Sequence, residues 1–147
     1  MNVVGAGARD YTKEVVVYTV LNWLDVAYGI DRISEGKQHG ADALIRQWRE
    51  HHERPGQSYE AFWTRLKRGA GPERNARMVK AEQPDLWIGF EGGSGTGNCM
   101  SEALKLPHCR CIHVASAEIL RDRIDLTVTF SRHGMLPKIT ALSLLLV

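Results

Sequence analysis

The residues from Glu91 to Asn98 are the stretch of this chain best suited to hold an anion. Glu91-Gly92-Gly93-Ser94-Gly95-Thr96-Gly97-Asn98 follows an apolar run, Leu86-Trp87-Ile88-Gly89-Phe90, and leads into a helix-like pattern, Cys99-Met100-Ser101-Glu102-Ala103-Leu104-Lys105. A buried strand, a glycine-rich turn and a helix start make an anion pocket for a simple reason. Glycines let the backbone turn tightly and come close to a ligand, and the free N–H groups at the positive end of the helix then face it. A second set of candidates lies upstream. Arg65, Lys67, Arg68, Arg74, Arg77 and Lys80 crowd one segment, opposed there only by Glu73. Arg74 offers a bidentate fork to phosphate, and Asn75 has an amide that can pair with a ribose or a base edge. Trp63 either stacks on a base or packs under its loop.

These residues need elements to position them. Asn2-Val3-Val4 predicts a first strand, and Gly5–Asp10 a glycine-bearing turn whose Asp10, or Thr12, caps the next helix. Val15, Val16, Thr19, Val20, Trp23, Leu24 and Ala27 recur at helical spacing, and Gly29 stops them. Asp31–Ser34 is a second strand, followed by the polar turn Glu35–Gly40. Ala41, Leu44, Ile45 and Trp48 mark one face of a second helix that ends near Arg54-Pro55-Gly56, with Asp42 as its cap or as a brace for the preceding turn. Gln57-Ser58-Tyr59 reads as a short third strand and Ala61–Gly71 as a loop. A helix runs from Pro72 to about Glu82, and Asp85–Phe90 is the fourth strand. A helix beyond the glycine-rich loop stops at Pro107, and Cys109–Val114 is the fifth strand.

Strands alternating with helices predict an α/β fold, a Rossmann-like parallel sheet with helices on both faces. Ligands bind such sheets outside the carboxyl ends of the strands, where strand order reverses. The turns Gly5–Asp10, Glu35–Gly40 and Gly92–Gly97 each follow a strand, so they converge on one edge. The ligand contacts expected there are Gly7, Ala8, Arg9, Asp10, Gly36, Lys37, Gly40, Arg74, Asn75, Gly92, Gly93, Ser94, Gly95 and Thr96, with Trp63 for base stacking. Past Val114 the pattern changes. Ile124–Phe130 alternates strictly, Ser131–Pro137 reads as a turn, and Lys138–Val147 as another extended run. Residues 115–147 are therefore expected to form a β appendage on the sheet edge or against a second subunit.

The chain has 147 residues, which suits one domain, and its formal net charge of +2 is too small to argue for nucleic acid. Three cysteines, Cys99, Cys109 and Cys111, form no regular disulfide framework. On a strand Cys109, Cys111 and His113 share a face, but their spacing is not that of structural zinc sites, so neither a metal nor a cofactor is expected. No charged and apolar leader and no span of about 20 apolar residues occurs, which leaves a cytoplasmic location as the expectation.

Taken together, the motifs resemble a known family. Gly7–Thr12 is similar to its GSRDYT start, Gly36–Asp42 to its GGARGAD turn, Trp63 with Gly69–Met78 to its W…GxxAGPxRNxxM block, and Glu91–Thr96 to its PGGxGT loop. The family is the YspA-like (DUF2493) branch of the SLOG superfamily, whose relatives include Lonely-guy phosphoribohydrolases and the DNA-processing protein DprA. The resemblance covers residues 1–114. It implies a Rossmann-like sheet binding a nucleotide, an ADP-ribose-like molecule or a cyclic nucleotide signal. Two departures bear on chemistry. Glu91 stands at the family's proline, where it either hydrogen-bonds a ribose hydroxyl or points to solvent. Cys99 stands where the N-glycoside-cleaving relatives carry a glutamate, and such a reaction needs a carboxylate. Sensing or sequestering the ligand, as a homodimer, is thus the first expectation. A hydrolase using Glu91 or Glu102 is the second, and a DprA-like single-strand binder the third.

Overall fold

A computed structural model describes residues 1–132 and 138–145. Its six strands form one sheet in the order β2-β1-β3-β4-β5-β6. The strands are β1 (Asn2–Gly7), β2 (Arg32–Ser34), β3 (Leu86–Phe90), β4 (Arg110–Ile119), β5 (Arg123–Arg132) and β6 (Lys138–Leu145). The helices are α1 (Glu14–Tyr28), α2 (Ala41–His51), the single turn α3 (Trp63–Leu66), α4 (Ala70–Glu82) and α5 (Ser94–Leu104). The pairs β1–β2, β1–β3 and β3–β4 are parallel, whereas β4–β5 and β5–β6 are antiparallel.

The alternation of side chains along the strands divides the core into two layers. Val3, Leu86, Ile88 and Phe90 pack against Val16, Val17, Val20, Leu21 and Leu24 of α1 and Ile45 and Trp48 of α2. Val4, Ala6 and Trp87 face the other way, onto Met78 of α4 and Cys99 and Ala103 of α5. All five residues of β3 are buried, as a central parallel strand covered on both faces requires. Because β1 is followed by β2 on one side and β3 on the other, strand order reverses between β1 and β3. There Gly7 lies opposite Phe90.

The C-terminal segment is the β appendage expected on the sheet edge. β4 runs to Ile119, well past the end of its pairing with β3 at Val114, and so offers β5 a long edge. The register shifts by a bulge between Val114 and Ser116. Ile124, Leu126, Val128 and Leu144 then join the α1-side core. The two added strands thus extend the same sheet and share its packing. Of the turn expected at Ser131–Pro137, residues 133–137 lie outside the described residues, as do 146 and 147.

Three local expectations are corrected. Neither Asp10 nor Thr12 caps α1; the N-cap is Lys13, without a side-chain bond, and backbone bonds such as Glu14 N–H to Thr12 O (2.9 Å) shape the entry. Gln57-Ser58-Tyr59 forms only an isolated bridge, Glu35 with Ser58, although its backbone runs beside β2, with the N–H groups of Ile33 and Glu35 donating to Pro55 O (3.0 Å) and Gln57 O (3.1 Å) and the Tyr59 N–H to Glu35 O (2.8 Å). Ala61–Gly71 is largely helical. α3, a 3-10 turn at Lys67–Gly69 and the start of α4 occupy it, with Phe62 held between the guanidinium groups of Arg65 (5.0 Å) and Arg77 (4.7 Å). No helix among the described residues is long and apolar enough to cross a membrane.

Candidate functional site

A cavity of about 640 Å³ opens at the carboxyl ends of β1 and β3, on the side of α4 and α5. That size suits a small-molecule ligand. Its wall contains Gly7, Ala8 and Arg9 from the first turn, Gly36 from the second, and Gly93, Ser94, Gly95 and Thr96 from the third. The three glycine-bearing turns therefore do meet. Arg74, Asn75 and Trp63 complete the wall from the α3–α4 side.

The start of α5 points its unpaired donors here. Its N-cap is Gly93 and no side chain caps the end, so the first N–H groups lack the usual side-chain acceptor. Gly92, at φ 98°, makes the turn before it, and a Cβ there would collide with the Thr96 side chain. Facing the loop is Arg74, only 7% exposed. Its Nε donates to Asn75 Oδ1 (2.8 Å) and its Nη1 to Gly36 O, with a longer contact to Tyr59 O at 3.5 Å; Nη2 has no partner among the described residues. The guanidinium lies so close to Gly36 that a Cβ at that position would sit 2.6 Å from Nη1. Burial lowers the Arg74 pKa, against the opposing pull of the nearby Asp42 carboxyl.

Asn75 braces the wall as well as lining it. Its Nδ2 donates to Gly95 O (3.2 Å) and to Asn98 Oδ1 (3.0 Å), so the amide ties α4 to the first turns of α5. Trp63 is 42% exposed at the mouth, with the Arg9 guanidinium 5.2 Å from its ring centre. The ring also borders Gly71, where an added Cβ would lie 3.4 Å from its edge, so the side chain packs on its own segment and lines the cavity at once. Arg68 also reaches the wall.

Other expected contacts lie elsewhere. Asp10, Glu91 and Gly92 line a second, more open depression that also takes in Ala8, Arg9, Gly93 and His113. Glu91 sits 3.8 Å from Lys13 Nζ, its N–H donates to Val114 O (2.8 Å), and its φ is 51°. A proline, the residue the resemblance would place here, has neither that N–H nor that φ. The Lys37 side chain turns outward to Glu60 (3.8 Å), and Gly40 packs against the Ala8 and Arg9 backbone. Glu102 pairs with Lys105 (2.8 Å) on α5 and lines neither depression. Cys99 does line the cavity, but burial pushes its thiol up to about 12 and Trp87 Nε1 donates to its sulfur (3.3 Å), so it is an inert core group. Cys109 and Cys111 are buried in the α4/α5-side core, and no metal-competent group of His, Cys, Asp and Glu occurs among the described residues.

One residue of the wall was read from the sequence only as a structural brace. Asp42, 6% exposed, accepts the Gln38 N–H (3.2 Å) and so does brace the Gly36–Gly40 turn, yet it also lines the cavity. Burial, reinforced by Glu35, pushes its carboxyl up to about 7. Its place two residues after Gly40 was the available signal, since the first turn of a helix entered from a ligand-facing loop faces the ligand too.

No protein-family model and no curated protein matches the chain. Solved structures do share its fold. Glycinamide ribonucleotide transformylase 1 from Symbiobacterium toebii superposes with a TM-score of 0.52 at 12% identity, over 96% of this chain and 74% of that one. The enzyme of the same name from Geobacillus kaustophilus gives 0.51 at 11% identity, over 100% and 84%. UDP-GlcNAc 2-epimerase from Neisseria meningitidis, solved with UDP-GlcNAc bound, gives 0.50 at 15% identity over 78% of this chain. The chain spans about a third of that epimerase's length, 32%. The likeness is one of Rossmann-like fold.

Proposed function

We propose that this chain binds a phosphorylated, nucleotide-derived small molecule in the cavity between the three turns, and acts as a sensor or a sequestering protein. One observation carries the reading: a buried Arg74 with an unpartnered Nη2 stands in the same cavity wall as the uncapped start of α5. A phosphate there would gain a charge-assisted bond and a helix-end site together. Arg9 and Arg68 add positive charge, and the half-exposed Trp63 supplies a stacking face for a base. The ribonucleotide and nucleotide-sugar chemistry in the names of the fold neighbours is consistent with this ligand class. The motifs quoted above support placing the chain in the YspA-like branch of the SLOG superfamily. A single domain and a homodimeric assembly belong to the same proposal; sedimentation analysis reads the second.

Binding is favoured over the hydrolase expected from Glu91 or Glu102 by the position of those two carboxylates; the carboxyl that does line the cavity, Asp42, is buried and already accepts the Gln38 N–H. Glu91 lies in the neighbouring depression, Glu102 is paired on α5, and the glycosidase position is the buried Cys99. Isothermal titration against nucleotides, ADP-ribose forms and cyclic nucleotides is expected to find one ligand bound tightly. Arg74→Ala is expected to weaken it at least ~100-fold, the scale of losing a charged hydrogen bond in a buried site. Tight binding unaffected by that change would sink the proposed site. Chromatography of the bound ligand after long incubation should return it unchanged, and recovery of products would favour the hydrolase.

A further inference from the structure

Asp42 is a buried carboxyl without a cation of its own. It makes no ion pair within the 4.0 Å limit among the described residues. The neighbouring acid, Glu35, has taken the arginines of α2: Arg49 at 3.2 Å and Arg46 at 3.6 Å. What remains for Asp42 is the field of Arg74, and that guanidinium is the group the proposed ligand also needs. The charges and titratable groups around Asp42 can be named by element. Glu35 lies after β2, Arg46 and Arg49 on α2, Arg74 on α4, the buried thiol of Cys99 on α5, and Arg9 after β1; His39, in the same turn, is exposed. A buried charge in this position is avoided most simply by taking a proton.

Resting on the anion-binding reading above, we infer that the cavity takes up its anion together with a proton, which resides on Asp42, and that the protonated carboxyl serves the site as a hydrogen-bond donor. Before binding, an ionised Asp42 shares Arg74; when the anion arrives it claims Arg74, and Asp42 is left with its charge uncompensated beside a second negative group. One proton from solvent joins the carboxylate, no bond of the ligand is broken, and the O–H replaces a repulsion with a donor. The sign of the pH dependence follows. A carboxyl raised from 3.8 to about 7 by burial keeps its proton in the folded, empty protein below neutrality. Binding raises it further, so affinity is full at acid pH and falls as pH rises above about 7, by about tenfold per pH unit for one linked proton.

Sulfate is a suitable probe because its charge does not change through the neutral range. Titration calorimetry with sulfate between about pH 6 and about pH 9 is expected to show that slope in the natural chain. Asp42→Asn, which keeps the acceptor for Gln38 and has no proton to exchange, is expected to bind sulfate equally at both ends of the range. Should that variant fail to fold, the natural chain titrated near pH 8 in two buffers of different ionisation enthalpy is expected to report uptake of about one proton. A flat affinity with no proton uptake, or a slope that survives in Asp42→Asn, overturns the inference and leaves the anion site standing. Absence of sulfate binding at every pH overturns the anion site itself, and this inference with it.

Discussion

Two depressions share Ala8, Arg9 and Gly93 as a common ridge, and they differ in what stands on either side of it. On the α4/α5 side the wall holds Arg9, Arg68 and Arg74, one buried acid, Asp42, and an uncapped helix end. On the β4 side are Asp10, Glu91 and His113, with Lys13 close to Glu91, and the surface is open. A single glycine-rich loop therefore feeds two environments. Its later residues, from Gly93 to Thr96, belong to a cation-lined cavity, and Glu91 and Gly92 belong to a place where acids and bases balance. Proximity in sequence to an anion loop is not membership of its pocket; which way the chain leaves the strand decides that.

The comparison can be broken in several ways, and the largest expected effect is on the fold. Glu91→Pro would remove the N–H that meets Val114 O and forbid φ 51°. It is expected to cost about 3 kcal/mol or more, read as a fall in urea midpoint. Glu91→Gln, which keeps both features, is expected to leave stability and ligand affinity within about twofold, the usual span of a surface change. Should Glu91→Gln abolish binding, the two depressions would be one site. Next is Gly36→Ala. Its new Cβ would meet the tip of Arg74, 2.6 Å away, and a flexible side chain can swing aside at small cost to folding. Affinity is expected to fall by about tenfold with little change in melting temperature, since one charged hydrogen bond loses its geometry. Unaltered affinity would mean that Arg74 serves only the fold. Trp63→Ala is the smallest. It is expected to weaken a base-bearing nucleotide by about tenfold, the low end of aromatic stacking, and to leave sulfate unaffected. Equal losses for both would make Trp63 a wall and not a platform.

Much of this was legible because it rests on local rules. Glycine after a strand announced each of the three turns, a continuous apolar run located β3, and period-3.6 apolar patterns located α1 and α2. The strict alternation of Ile124–Phe130 announced β5. Its place on the sheet edge beside the following run was legible too, but its pairing along β4 was not, because that depends on how far β4 extends, and Ala115–Glu118 carries no strongly apolar residue. The helical character of Trp63–Gly69 was hidden for a related reason. Its basic residues and closing Gly69 read as loop, while the Arg65–Phe62–Arg77 stack that orders its start joins residues on different elements. The bracing bonds of Asn75 were hidden for the same reason. An amide's protein partners are set by tertiary contact, and here they are Gly95 O and Asn98 Oδ1.

That last amide has a kinetic consequence. Arg74 rides on one helix and the open N–H groups on another, and Asn75 bonds to both: to the Arg74 guanidinium through Oδ1 and to α5 through Nδ2. The spacing between the two parts proposed to hold the anion is set before any ligand comes. Little ordering entropy remains to be lost on binding, so association should proceed in one step limited by encounter, with differences among ligands appearing in how long they stay.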